Sequence, residues 1–158
     1  MPKEMDRDTC IGKSEIQEMQ QLISGSRPAR MIPLLDDEVS AYHEAAHCVI
    51  GALIGVPVNY ATISGKAHVT LSFQGIMKIA LSEDHRATFF LAGTVVQKYY
   101  FPDEPATNKK DENLLWGLPA NRRKYYTDFI LMQLSDPEER GQIEALASRL
   151  LLEKSVKF

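Results

Sequence analysis

The chain has 158 residues, 44% apolar and 25% charged, which suits one globular domain with a real core and a short appendage. A formal charge of −3 and a pI near 5.8 leave no basic footprint, so nucleic acid is not an expected partner. The two cysteines, Cys10 and Cys48, lack Cys-x-x-Cys spacing, which excludes a disulfide scaffold and a thiolate zinc ribbon.

Residues 1–30 read as an appendage. Within it Ser14 to Ile23 can form a short helix with Ile16, Met19, Leu22 and Ile23 on one side, broken by Gly25-Ser26-Arg27-Pro28. The polar start of the chain does not read as a signal peptide. No apolar run approaches the ~20 residues of a membrane span. The expected location is the cytoplasm or another reducing compartment, with Cys48 as a buried free thiol.

Residues 31–158 carry the domain. Asp36 and Asp37 are expected to cap a helix of about 18 residues whose apolar positions run through Ala41, Ala45, Val49, Ala52 and Leu53, and which Gly55 and Pro57 end. Val58 to Ser64 is rich in strand formers, Gly65-Lys66 reads as a turn, and His68 to Phe73 alternates Val69, Leu71 and Phe73 with polar residues. Together these predict a small hairpin.

A buried helix over 82–100 opens at Ser82, and a polar loop follows from Pro102 to Lys110. A short helical stretch is expected from Asp111 to Trp116, stopped by Gly117 and Pro119. Another helix should start at Thr127 or Asp128 and run through Leu134. Ser135-Asp136-Pro137-Glu138 opens the last helix, whose apolar face is Ile143, Leu146, Ala147, Leu150 and Leu151. The fold class is therefore α+β and mainly helical, with a small hairpin or sheet and a helical C-terminal part. Tyr99, Tyr100, Tyr125, Tyr126 and Trp116 read as core aromatics, with a groove lining as the alternative.

The chemistry concentrates at His43-Glu44-Ala45-Ala46-His47. Histidines four apart on a helix share one face, so both imidazoles can reach a single Zn2+. Glu44 then stands beside the metal's open side, placed to move a proton during peptide hydrolysis. This is the spacing of zinc peptidases. The plainer alternative is two helix histidines bonded to polar neighbours with Glu44 solvated. Ile50 and Leu53 occupy the places of an elongated motif's Gly and third His, and no carboxylate occurs between Glu44 and Glu83. The third ligand must come from further along the chain, or be His68; His68 and His85 otherwise read as ordinary polar residues.

Ala41-Tyr42-His43-Glu44-Ala45-Ala46-His47-Cys48-Val49-Ile50-Gly51 resembles the zinc helix of the FtsH-type ATP-dependent metalloproteases. The strand at Val58 to Ser64 and Leu91-Ala92-Gly93 in a later helix fit the same peptidase domain, and the resemblance spans roughly residues 36 to 154. In that family the third ligand is an Asp at the start of a later helix. Asp111 and Asp128 bracket the place; Ala106-Thr107-Asn108-Lys109-Lys110-Asp111 matches the family's order better, so the resemblance favours Asp111. Ala46 stands where the family usually has Gly, and Gln97 where it tends to carry Glu.

The resemblance implies a zinc endopeptidase domain with Glu44 as the catalytic residue and His43, His47 and Asp111 as metal ligands. No glycine-rich phosphate loop is found, so it would act without its own ATPase, on peptides or unfolded segments, or on substrates delivered by an ATPase or other protein partner. A homo-oligomer fits equally. The competing expectation is a non-catalytic metal-binding, scaffold or regulatory protein that keeps the fold.

Overall fold

The computed structural model describes residues 31–105 and 109–158. The expected appendage at 1–30, its helix at Ser14–Ile23, and Cys10 lie outside the described residues. Val39–Phe158 forms one compact unit, and every residue of the candidate site belongs to it.

In chain order the elements are α1 (Met31–Ile54), β1 (Val58–Thr62), β2 (His68–Leu71), α2 (Phe73–Leu81), α3 (Glu83–Tyr100), α4 (Lys109–Leu114), α5 (Ala120–Leu134), α6 (Pro137–Glu153) and β3 (Ser155–Lys157). This is a mainly helical α+β fold, as the periodicity predicts. Among the described residues no helix is long and apolar enough to cross a membrane.

Helix α1 starts at Met31, earlier than the expected cap at Asp36 and Asp37, which lie inside it. Pro33 does not prevent this, because a first-turn residue has no intrahelical N–H bond to lose. From His43 to Gly51 every residue of α1 is buried, so this part of the helix is covered on all sides. It ends at Gly55, whose φ of +80° is the left-handed conformation that glycine takes without strain.

Strand β1 is central in a three-stranded antiparallel sheet of order β2-β1-β3. Ala61 lies opposite Val69 on one side and opposite Val156 on the other. The hairpin is as expected, but β3 is an addition. Lys154 takes a left-handed conformation at the end of α6, φ 69°, and turns the last residues back onto β1.

Two further differences have local causes. The strand pattern of His68 to Phe73 stops at Leu71, because the Ser72 side chain accepts the Gly75 N–H and caps α2. Helix α5 starts at Ala120 behind Pro119, well before the expected Thr127 or Asp128. Its first turns, Ala120 to Lys124, are polar and largely exposed, so no apolar periodicity marks them.

The core is built from α1, α3, α5, α6 and β1, with Ile50, Phe89, Leu91, Ile130, Leu134, Ile143 and Leu150 among its largest fully buried side chains. Ser82 caps α3 and Asp136 caps α6, as expected. The aromatic expectation holds for Tyr126, which is buried; Trp116, Tyr125 and Tyr99 are exposed and Tyr100 is half-buried against Tyr42.

Candidate metal centre

His43 and His47 stand one turn apart on α1, their ring centroids 4.9 Å apart. Asp111 sits in the first turn of α4, where a carboxylate suits the positive end of the helix dipole. Its Oδ2 lies 3.0 Å from His43 Nε2 and 3.1 Å from His47 Nε2. These three buried residues place one ligand atom each within 4.8 Å of one another, and they form a group that can hold a metal ion.

The outer nitrogens of both rings are committed elsewhere. His47 Nδ1 lies 2.9 Å from the Phe89 carbonyl oxygen, which can only accept, so Nδ1 carries the proton. His43 Nδ1 lies 3.1 Å from Gln97 Oε1. The Gln97 amide nitrogen donates to the Pro105 carbonyl at 3.1 Å, which orients the carboxamide and makes Oε1 the acceptor for His43. Neutral imidazoles held this way turn two Nε2 lone pairs toward one carboxylate oxygen. Three electron-rich atoms in a buried space need a cation among them, either a proton or a metal ion. The nitrogen, nitrogen and oxygen donor set fits a divalent transition metal.

The charges within the site reinforce each other. Without a metal the cation is a proton: burial alone would raise the Asp111 carboxyl, but hydrogen bonds from protonated Nε2 atoms of His43 and His47 outweigh it and hold the group well below the usual carboxylate range. Burial disfavours the charged form of His47, yet the bond to Asp111 and the charge of Glu44 raise its pKa overall. Glu44 is 3% exposed, and among the described residues it has no hydrogen-bond partner. Its burial pushes its pKa up, against a smaller opposing pull from His47 and His43.

The remaining candidates fall away from this centre. Asp128 is exposed and pairs with Lys124 at 2.7 Å on the same helix. His68 is exposed on β2 with Nδ1 donating to the Lys66 carbonyl; its charge acts on Glu44 at a distance, but it is no part of the metal-binding group. His85 bonds to the Ser82 hydroxyl at the start of α3. Cys48 is buried and free, its thiol pushed up to about 12 by burial and the nearby Glu44 charge.

Two contributors escape sequence reasoning. The Phe89 contact is made by a backbone carbonyl, which no residue type announces. Gln97 shows in the sequence only as a departure from the family's Glu; its position one turn after Gly93 on α3 is the signal that it faces the same way. No protein-family model matches the chain, and none of the curated proteins matches it.

Proposed function

We propose that this chain is a zinc-dependent endopeptidase domain of the FtsH-type peptidase fold, with His43, His47 and Asp111 holding the metal and Glu44 as the catalytic residue. The observation that carries the reading is the convergence of His43 Nε2, His47 Nε2 and Asp111 Oδ2, with both Nδ1 atoms committed to outer acceptors. A zinc ion held there supplies Lewis acidity toward a water molecule and a peptide carbonyl.

In this reading Glu44 accepts a proton from the attacking water at its carboxylate and passes it to the leaving amine nitrogen. A carboxylate whose pKa burial has raised is a stronger base than a solvated one, which suits that task. Gln97 and the Phe89 carbonyl keep the two imidazoles in the tautomer that presents Nε2 inward. The substrates are peptides or unfolded segments. No phosphate-binding loop occurs in these residues, so folded substrates would need an ATPase partner to unfold them. A reducing, cytoplasmic setting matches the free Cys48 thiol.

The test combines elemental analysis with cleavage of an unfolded protein such as casein. One zinc per chain and cleavage abolished by Glu44→Gln, with zinc content unchanged, is the expected result. Full cleavage by Glu44→Gln would end the mechanism.

A non-catalytic metal-binding or scaffold role is the second reading. It is favoured by the burial of the site: His43, Glu44, His47 and Asp111 are 3–6% exposed, whereas a peptide must reach the metal's open side. Stoichiometric zinc with no turnover of any unfolded substrate would select it.

A further inference from the structure

We propose that Gln97 is a positioning residue with two separate tasks: holding His43 in the ligating tautomer, and tying the connection that leads to Asp111 back onto the site. The inference rests on the metal-binding reading for its consequences, though its first task is visible without metal. Gln97 is 3% exposed on α3, so its carboxamide must find its partners inside the protein. It finds one in each direction: Oε1 accepts from His43 Nδ1 at 3.1 Å, and Nε2 donates to the Pro105 carbonyl at 3.1 Å. His43 belongs to α1, and Pro105 to the segment between α3 and α4. One side chain on α3 therefore bridges the helix that carries two ligands and the connection that precedes the third.

The two tasks need different chemistry, which makes them separable. Holding the His43 tautomer needs only an acceptor, and a carboxylate supplies one. Holding Pro105 needs a donor, which a carboxylate at neutral pH lacks. Glutamine supplies both from a single planar group of fixed orientation. Gln97→Glu thus keeps the first contact and turns two acceptors toward each other in the second. Gln97→Met fills much the same volume and makes neither contact.

The experiment measures zinc affinity by chelator competition and the His43 tautomer by 15N NMR, the latter on metal-free protein. In wild type His43 is expected to carry a proton on Nδ1, beside the one that Nε2 shares with Asp111 when no metal is bound. Gln97→Met is expected to lose that preference and to bind zinc about 10–100-fold more weakly, the usual cost of removing an outer-shell partner. Gln97→Glu is expected to keep the Nδ1–H tautomer and to recover much of that loss. Its remaining deficit should vanish in an Asp111→Ala background, because the Pro105 contact acts through Asp111.

Wild-type affinity in Gln97→Met, with the tautomer unchanged, would overturn the proposal. Should the Met variant fail to fold, Gln97→Glu still decides: an equal deficit with and without Asp111 overturns the second task, and a lost Nδ1–H form overturns the first. If wild type takes up no zinc, the metal reading falls by itself. The tautomer in the metal-free variants then upholds or overturns the first task alone.

Discussion

A β-carbon placed on Gly93 would come within 2.4 Å of His43 Nε2, the nitrogen that faces Asp111. The α3 backbone thus lies against the edge of the imidazole, and only a residue without a side chain leaves the ring in place. In Gly93→Ala the ring must move, because the methyl group is anchored to a buried helix. Overpacking of this kind costs about 1–3 kcal/mol. The expected outcome is a fall in thermal stability together with zinc binding weakened by more than about tenfold, since ligand direction is lost. Chelator competition and thermal unfolding on the same samples check it; unaltered zinc affinity would show that α3 does not hold His43.

Asp111 and Asp128 offer a clean contrast. Asp111 is 6% exposed and lies against both histidines, whereas Asp128 pairs with Lys124 at the surface. Asp128→Ala should leave zinc content unchanged and cost at most about 0.5 kcal/mol, the worth of an exposed pair one turn apart. Asp111→Ala should weaken zinc binding by orders of magnitude and leave it substoichiometric after dialysis, with residual binding through His43 and His47. Elemental analysis after dialysis against a mild chelator separates the two, and equal zinc in both variants would move the third ligand elsewhere.

The parts of this protein that were legible in the sequence are those in which a side-chain pattern and the burial agree. The histidines of α1, the Ser82 and Asp136 caps, and the apolar face of α6 could be read because each residue type does locally what its chemistry favours. Asp111 could be placed only through a family resemblance, since His43 and Asp111 meet by tertiary packing that no local spacing encodes. Helix α2 was hidden because a strand pattern continues to Phe73, and its apolar residues Phe73, Ile76, Met77 and Leu81 face outward. Strand β3 was hidden by its length of three residues, too short for any periodicity, and by a left-handed turn at a lysine, where glycine is usual.

Glu44 makes the metal-free protein sensitive to pH in a defined direction. Burial raises its folded-state pKa above the ordinary glutamate value, so the folded state favours the neutral carboxyl. Its contribution is fully present below the unfolded pKa and is lost as pH rises through the folded one. Glutamine does not titrate. The stability of Glu44→Gln relative to wild type should therefore rise between pH 4 and neutrality in protein stripped of metal. Urea unfolding at the two pH values measures the difference; a difference that stays constant with pH would mean that Glu44 is not buried as a charge.

Tyr126 gives the complementary test at alkaline pH, away from the metal-binding group. Its single hydroxyl proton is shared between the Glu83 carboxylate at 3.0 Å and that of Asp84, joining the start of α3 to α5. Burial, then these two carboxylates, push its pKa from 10.0 up to about 12. The raised folded-state value means that its stabilising contribution is fully present below pH ~10 and is lost as pH rises toward 12. Tyr126→Phe should cost about 1.5 kcal/mol at neutral pH, the low end for a hydrogen bond to a charged group, because Glu83 and Asp84 are partly exposed to water. The gap between variant and wild type should then close as pH rises past 10. Absorbance at the phenolate band should show one tyrosine ionising later in wild type than in the variant. If the absorbance that wild type shows in excess of the variant develops already near pH ~10, the α3–α5 contact does not hold the Tyr126 proton.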